Sequence, residues 1–300
     1  MRSLKDFDRA EWLRLLPLEA LFKQVRNDAW RWLFDRQRAP GLEALVARVK
    51  RESPGKTVLL VIAFEQAWAL DWLLRNAAKH LQDALVVVCD NSRSAEARAA
   101  IAAVCQSHDA PHVALPHNRT RHVNRSHALA MSWVYRNVVL PAAPDIFGFI
   151  DHDLIPFKDV NLAERLIDQP FFGHRVKSRW AYQLWAGYCL YRYANVKGAR
   201  LNFLYDFSLG LDTGGRNWAR LYRHVDPSGL RFAHNEYRWV VDTGSGQSAR
   251  VQVLDGCWLH IGGISYNDGF RPKAQFFEWL AASLEQDGAL LDRSPCVSAS

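Results

Sequence analysis

Short apolar segments alternate with helix-like segments between residues 57 and 150, and this alternation constrains the fold more than any other feature of the chain. The first apolar segment, TVLLVIAF, is a continuous run of the kind that forms a strand covered on both faces. Strands are predicted in this way at 57–64, 84–89, 112–115 and 145–150, and helices at 66–80, 94–106 and 124–140. Repeated strand–helix units predict an α/β fold with a mostly parallel sheet covered by helices.

Apolar side chains at helical spacing among arginines and lysines predict an N-terminal helix over residues 8–35. Two interpretations of this helix stay open: it packs on the protein surface, or it lies on a membrane as a basic amphipathic helix. Pro40 and Gly41 end it, and a later helix is predicted to begin at Pro272. The chain is therefore expected to divide into an N-terminal helical extension (1–52), an α/β domain (53–290) and a loose tail (291–300).

The composition is that of a globular, basic protein: 49% of the 300 residues are hydrophobic and the formal net charge is +7. This charge favours anionic partners such as nucleotides or an acidic membrane. We expect no nucleic-acid partner, because no nucleic-acid-binding motif is present and the basic residues are spread along the chain. No apolar run is long enough to span a bilayer and no signal-peptide core is present, so we expect a cytoplasmic protein with peripheral contact at the inner face of the membrane.

Acidic residues follow three of the predicted strands. Glu65 and Asp90 come directly after the first two strands, and Asp151 and Asp153 follow the fourth in the segment FGFIDHDLIPF. Residues i and i+2 of an extended chain point to the same side, so both carboxylates of this pair are expected to face one spot. Two neighbouring carboxylates repel each other unless a cation lies between them. Ligands of parallel sheets gather at the carboxyl ends of the strands, so a binding site at this position is one interpretation, and a solvated turn after the strand is the other.

Four segments, in this order, resemble the family 2-like glycosyltransferases with the GT-A fold: TVLLVIAFEQ, VVVCDNS, HNRTRHVNRSHALAMSWVYRNV and FGFIDHD. The resemblance covers roughly residues 57–265. It implies a metal-dependent enzyme that uses a nucleotide-diphosphate sugar as donor. The implied donor-binding residues are Phe64, Glu65, Asp90, Arg121, Asp151 and Asp153. Arg119 and Arg125 are open alternatives to Arg121 as the side chain that reaches the diphosphate.

The resemblance also implies a metal site for Mn²⁺ or Mg²⁺, which is held by Asp151 and Asp153. Asp153 would ligate the ion directly, while Asp151 would contact the ribose or a water bound to the metal. His260, at the end of the segment GCWLHIGG, is a candidate for a further ligand, although a lone histidine is more often an ordinary hydrogen-bonded residue.

On the acceptor side the resemblance implies an acidic catalytic base after the metal motif. Asp212 in LDTGGRNWARLY is the first candidate, and Asp206 and Glu236 are the alternatives. The competing interpretation of Asp212 is that it caps the helix predicted to follow it. Trp185 and Tyr188 are candidates for stacking on the acceptor sugar, and packing in the core is the competing interpretation for both.

The expected function is transfer of a sugar from the nucleotide donor to a glycan or lipid-linked acceptor, with inversion, as in polysaccharide biosynthesis. The alternative is a non-catalytic, nucleotide-sugar-binding relative that acts as a membrane-associated scaffold. An aspartic protease is disfavoured. The two Asp-Thr-Gly segments, at Asp212 and Asp242, are too close in sequence to belong to two protease lobes.

Overall fold

The protein is described here by a computed structural model that covers residues 8–9, 17–120, 122–262 and 271–297. The α-helices are α1 (Pro17–Phe34), α2 (Leu42–Glu52), α3 (Ala67–His80), α4 (Ala95–Ser107), α5 (Val123–Val134), α6 (Tyr193–Val196), α7 (Asn217–Arg220), α8 (Arg271–Gln286) and α9 (Leu290–Arg293). Helix α5 continues directly through a π-helical segment (Tyr135–Val139) and a short helical segment (Leu140–Ala142). The strands are β1 (Thr57–Ala63), β2 (Ala84–Asp90), β3 (His112–Ala114), β4 (Ile146–Asp151), β5 (Leu154–Pro156), β6 (Phe171–Ser178), β7 (Ala181–Arg192), β8 (Asn235–Val241), β9 (Ser248–Leu254), β10 (Trp258–His260) and β11 (Cys296–Val297).

The main sheet has six strands in the order β3-β2-β1-β4-β7-β6. Strands β1 to β4 run parallel to one another, and β7 joins β4 antiparallel and pairs with β6. The predicted α/β fold with a mostly parallel sheet covered by helices is therefore confirmed. Its predicted elements are also found close to their expected bounds, and Ser94 caps α4 as expected by accepting from the Ala97 amide at 3.0 Å.

Strand β1 is buried along its whole length because both faces of the sheet are covered. Leu59 and Val61 pack in the core beneath α3 and α4, whereas Val58 and Leu60 pack in the core beneath α2 and α5. This explains why the segment appears in the sequence as a continuous apolar run rather than as an alternating pattern.

A second sheet, of five antiparallel strands in the order β11-β8-β9-β10-β5, stands beside the first. The sequence pattern did not predict it, because β5, β10 and β11 are too short to show a period. Strand β5 follows β4 almost directly, so the chain passes from the main sheet to the second sheet within a few residues.

Helix α2 and residues 291–297 pack on the α/β domain more closely than expected. Leu45 and Val49 of α2 lie in the same core as the main sheet. Residues 291–297, expected to be loose, instead complete α9 and form β11, in which Val297 pairs with Tyr237. Burial of Leu291 anchors this segment. Within the described ranges, no helix combines the length and apolarity that crossing a membrane requires.

Candidate functional site

Asp151 and Asp153 flank the point where the chain leaves the main sheet. Asp151 is the last residue of β4 and lies beside Ile62 of β1, at the edge formed by the carboxyl ends of the parallel strands. Asp153 directly precedes β5. The predicted position of the acid pair at the end of a buried strand is therefore observed, and the second sheet now supplies the opposite wall.

His260 reaches the acid pair through strand pairing. Strand β10 runs antiparallel to β5, which sets His260 opposite Leu154, the residue after Asp153. The imidazole Nε2 lies 3.7 Å from Asp153 Oδ1, and one ligand atom from each of Asp151, Asp153 and His260 falls within 4.8 Å of the others. The structure thus brings together the three side chains that were candidates for metal ligands.

Contacts behind the cluster hold two of its side chains in place. Nδ1 of His260 lies 2.6 Å from Oε1 of Gln252, whose own amide group donates to Asn235 at 2.9 Å. Because an amide oxygen only accepts, Nδ1 donates this hydrogen bond, and Nε2 is the ring nitrogen that faces the carboxylates. The amide of Gly262 donates to Asp153 Oδ2 at 3.1 Å, which leaves Oδ1 directed at the cluster.

The residues present fit a divalent cation. Two carboxylates and one imidazole form a donor set that holds such ions in proteins. Gly187 of β7 leaves the space that Asp151 fills, since a Cβ atom at this position would lie 2.5 Å from Asp151 Oδ2. The ring of Trp185 closes the same wall, with its centroid 4.7 Å from that of His260.

Charge in the cluster is unbalanced. Burial, with the neighbouring Asp153, raises the pKa of Asp151 to about 6, whereas burial lowers the pKa of His127 to about 4. Although His127 Nε2 lies 3.7 Å from Asp151 Oδ1, the imidazole is neutral at pH 7, and the contact is not an ion pair. A bound cation would balance the two carboxylates.

Sequence reasoning missed His127. It lies in α5, within the segment HNRTRHVNRSHALA that carried part of the family resemblance. That segment contains several histidines, and spacing alone gives no reason to select this one over His122. Only the packing of α5 against the end of β4 shows which histidine faces the acid pair.

Asp90, one of the predicted donor-binding residues, offers a hydrogen-bond acceptor at the carboxyl end of β2. Its side chain is fully buried at the end of β2, and its Oδ1 accepts from the Ser92 amide at 2.8 Å. Its Oδ2 has no hydrogen-bond partner within the part of the chain that the structure covers. A buried carboxylate oxygen without a partner is costly, so this atom is suited to accept from a bound ligand.

The other donor-side candidates are arranged differently. Glu65 has a left-handed φ of 61°. Its Oε1 accepts from the Arg93 amide at 2.7 Å, so the carboxylate stabilises the loop after β2. Phe64 is partly exposed beside the Arg93 guanidinium, 5.6 Å away. Their roles in donor binding stay predictions.

The structure separates two of the three arginines that are candidates for contact with the diphosphate. Arg121 lies outside the described residues. Arg119 is exposed and can turn towards a ligand. Arg125 is held by Tyr205 and Thr120, with Nη2 and Nη1 each 3.4 Å from a hydroxyl oxygen, and is therefore committed to the protein itself.

Asp212 is exposed at the rim of the site. Its Oδ1 accepts from Asn124 Nδ2 at 2.6 Å, and it does not cap a helix, because α7 begins only at Asn217. The alternative bases have local partners: Asp206 accepts from the Ser208 amide at 3.0 Å, and Glu236 pairs with Arg238. The catalytic assignment of Asp212 stays a prediction, and the capping interpretation is wrong.

The two candidate acceptor residues have different surroundings. Trp185 is partly exposed and lies against His260, so it is part of the site. Tyr188, in contrast to the expected acceptor contact, is fully buried in the core, 5.3 Å from the ring of Trp258. Both side chains lie on the same side of β7, Trp185 against His260 and Tyr188 deeper against Trp258 of β10, because the register shift in the β6–β7 pairing interrupts the alternation of side chains.

No family model matches the chain, and no curated protein matches it. Among solved structures, S. aureus TarS is 15% identical at a TM-score of 0.34, with coverage of 49% of this chain and 30% of that chain. The bifunctional glycosyltransferase WbbM is 13% identical at 0.33, with coverage of 49% and 33%. The mannosyltransferase PcManGT from Pyrobaculum calidifontis, in complex with GDP-Man and Mn²⁺, is 14% identical at 0.35, with coverage of 58% and 56%.

This chain therefore spans between 30% and 56% of the length of these solved structures. Two of the three names are those of sugar-transferring enzymes, the class that the sequence motifs resemble. Because the TM-scores are low, we base no functional conclusion on this likeness and derive the function from the site itself.

Proposed function

We propose that the protein is a metal-dependent glycosyltransferase that moves a sugar from a nucleotide-diphosphate donor to an acceptor hydroxyl. The observation that carries this proposal is the cluster of Asp151, Asp153 and His260, whose ligand atoms lie within 4.8 Å of one another at the carboxyl edge of the parallel strands. Such edges are where α/β sheets bind their ligands.

The proposed cation is Mn²⁺. Mg²⁺ prefers a shell of oxygen atoms, whereas Mn²⁺ accepts oxygen ligands and binds nitrogen more readily, so the imidazole of His260 favours manganese. When bound, a divalent ion of this kind supplies the positive charge that stabilises a departing diphosphate. The chain's own residues orient the ligands: Gln252 fixes the tautomer of His260, and Gly262 fixes the carboxylate of Asp153.

The nucleotide is proposed to bind along the same edge. The unpartnered Oδ2 of Asp90 would accept a hydrogen bond from the base or ribose, and Arg119 is exposed on the loop after β3 and available to the diphosphate. Phe64 and Glu65 border this position at the end of β1. Asp151 ends β4, two strands away from β2 and its terminal Asp90, and ribose and metal are proposed to meet at Asp151.

The proposed base is Asp212. It would take the proton of the acceptor hydroxyl as the oxygen forms its bond to the anomeric carbon and the bond from that carbon to the diphosphate breaks. Attack opposite the leaving group inverts the anomeric centre. Asn124 positions the carboxylate through its 2.6 Å hydrogen bond, and Trp185 offers an aromatic face to the acceptor sugar.

The acceptor is proposed to be a glycan or a lipid-linked glycan. In the same proposal the protein works in the cytoplasm, in peripheral contact with the inner face of the membrane. The surface that supports this contact is considered below.

The proposal is tested by thermal unfolding with UDP and GDP, with and without Mn²⁺, in the native protein and in Asp153→Asn. Ligands that bind only the folded state raise its stability, so a metal-dependent rise is expected in the native protein and not in the variant. A panel of nucleotide sugars, assayed for release of the nucleotide diphosphate, then tests turnover. Stabilisation by none of the nucleotides would overturn the proposal. Stabilisation without release from any donor would indicate the non-catalytic, nucleotide-sugar-binding alternative.

A further inference from the structure

Helix α1 turns an apolar face to the outside of the protein. Its exposed apolar side chains recur at helical spacing, so they form a single stripe, here called the outer face of α1. The members and their exposed fractions are Leu21 (55%), Phe22 (65%), Val25 (61%), Trp32 (53%) and Leu33 (57%). A contiguous apolar surface of this kind marks an interaction site on a folded protein.

The opposite face of α1 is polar and holds the helix to the protein. Asn27 is fully buried and donates to the Tyr205 hydroxyl at 2.9 Å. Asp28 pairs with Arg216 at 2.5 Å, and Gln24 donates to the Ser208 hydroxyl at 3.0 Å. The usual orientation of a surface helix, with its apolar stripe against the core, is therefore reversed.

Positive charge borders the outer face of α1. The Arg36 guanidinium stacks on the ring of Trp32 at 3.7 Å. The Lys23 ammonium lies 5.3 Å from the ring of Phe207, which is itself 40% exposed, but Lys23 also pairs with Glu19 at 2.7 Å and adds no net charge here. Arg38 is also exposed. Apolar and aromatic side chains flanked by arginine and lysine are typical of helices that lie in the interface of an anionic bilayer. The net charge of +7 also attracts the protein to an anionic bilayer.

A cavity of about 390 Å³ opens next to the outer face of α1. Leu33 belongs to both, and Trp30, Phe34 and Leu129 provide further apolar walls, while Arg119 lies at the polar side. The polar side is completed by Gln37, His117, Asn118 and Thr120. The cavity therefore suits the boundary between a hydrocarbon chain and its phosphate group.

The polar contacts of α1 connect the outer face to the acceptor side of the site. Tyr205, Ser208 and Arg216, which hold α1, lie in the same loop as Asp212. A surface that binds through the outer face of α1 therefore lies close to the position where the acceptor hydroxyl would meet its base.

We propose that the outer face of α1 docks on an anionic lipid bilayer and that the acceptor is accordingly a lipid-linked glycan presented at that surface. The second part rests on the proposed glycosyltransferase function, whereas the first does not. The occupant is assigned from charge complementarity: Arg36, stacked on Trp32, and the exposed Arg38 supply positive charge at the end of the apolar stripe, as an anionic headgroup layer requires.

The docking surface is tested by sedimentation of the full chain with vesicles of phosphatidylcholine alone or mixed with phosphatidylglycerol. We compare Phe22→Ser/Val25→Ser with the control Trp239→Ser/Val241→Ser, whose exposed apolar residues lie on β8. The native protein and the control are expected to bind the anionic vesicles in a salt-sensitive manner, and the α1 variant to bind at least about tenfold more weakly.

Equal binding by both variants, or no binding by the native chain, would overturn the docking surface. Sedimentation equilibrium without lipid provides a further check: a native dimer that the α1 variant converts to a monomer, with no vesicle binding, would assign the face to a second copy of the chain. Nucleotide-diphosphate release in the absence of lipid is expected to be unchanged in the α1 variant, so failure of docking and failure of the enzyme are distinguishable.

The acceptor class is tested with octyl glycosides in anionic vesicles against the same free sugars in solution. Faster transfer to the octyl glycosides is expected, and this advantage should disappear in Phe22→Ser/Val25→Ser. An equal rate for both acceptors with the native protein would overturn the lipid-linked assignment while leaving vesicle binding as a separate result.

Discussion

Nε2 of His260 lies 3.7 Å from Oδ1 of Asp153, and the far side of the same imidazole is held by Gln252, with Nδ1 2.6 Å from its amide oxygen. The pairing of β10 with β5 creates this contact between residues far apart in sequence. The same imidazole is thus held from behind by Gln252 and directs Nε2 at the carboxylates, the orientation that a ligand of a shared cation needs.

Replacement of Gln252 by leucine is expected to weaken Mn²⁺ binding by about 10- to 100-fold, since the imidazole loses the acceptor that fixes its tautomer and ring orientation. Calorimetric titration with Mn²⁺ measures the effect. Gln247→Leu is the matched control, because Gln247 is exposed in the turn between β8 and β9. If the two variants bind Mn²⁺ equally well, His260 is not a ligand.

Gly187→Ala is expected to lower the affinity for Mn²⁺ by at least about tenfold, because the new methyl group would lie 2.5 Å from Asp151 Oδ2 and must displace that carboxylate. The added atom also overpacks the wall of Trp185, at a cost of about 1–3 kcal/mol in unfolding free energy. Thermal unfolding separates this loss from the loss of metal affinity.

Gly198→Ala serves as the control for that substitution, since no atom lies within 4 Å of a Cβ at this position. Its Mn²⁺ affinity should match that of the native protein. An unchanged affinity in Gly187→Ala as well would mean that Asp151 does not need its present position to bind the ion, and would remove it from the ligand set.

The continuous apolar run of β1 and the acid pair after β4 were predictable because each is a local pattern with a direct structural meaning. The family resemblance, rather than any pattern, directed attention to His260. Gly187 and His127 were not predictable: their importance lies in contacts across strands or between a helix and a strand, which one sequence does not show. Tyr188 was misassigned because its burial against Trp258 of β10 is a contact across strands, which its position near Trp185 in sequence does not show.

Helix α1 shows the limit of pattern reading most clearly. Its sequence predicts a helix with one apolar and one polar face, and that helix is found. The pattern does not say which face is turned inward. The inward face is determined by partners that are distant in sequence. Tyr205 forms a hydrogen bond with Asn27, and Arg216 forms an ion pair with Asp28.

Asp212→Asn is expected to reduce the turnover number by about 10²- to 10⁴-fold, because the amide cannot take the acceptor proton. The Michaelis constant for the donor and the affinity for Mn²⁺ should stay near the native values, since Asp212 lies at the rim and is held by Asn124 rather than by the cluster. Steady-state kinetics with saturating acceptor measure both parameters.

Asp206→Asn is the control for the base, as its carboxylate caps a local turn through the Ser208 amide. A change of no more than a few-fold is expected in its turnover number. A severe loss in Asp206→Asn together with a mild effect in Asp212→Asn would reverse the assignment of the base.

Asp35, which follows α1, should make the stability of the protein depend on pH. Its side chain is buried, Oδ2 lies 3.3 Å from Arg31 Nη1, and Oδ1 has no hydrogen-bond partner in the described ranges. Burial raises the pKa of Asp35 from 3.8 to about 6, although Arg31 acts in the opposite direction. The folded state therefore binds this proton more tightly than the unfolded state does.

The corresponding stability is fully present below pH 4 and is lost as the pH rises through 6, by about 3 kcal/mol for a difference of this size. The amide introduced by Asp35→Asn cannot ionise, so this variant should exceed the native protein in unfolding free energy by roughly this amount at pH 7, and the gap should close towards pH 4. Urea unfolding between pH 4 and 8 measures the gap. Asp168→Asn, at an exposed residue whose φ of 62° asparagine also tolerates, is the matched control for the exchange of an aspartate for an asparagine. A gap for Asp35→Asn that stays constant over this range would mean that the buried carboxylate keeps its ordinary pKa.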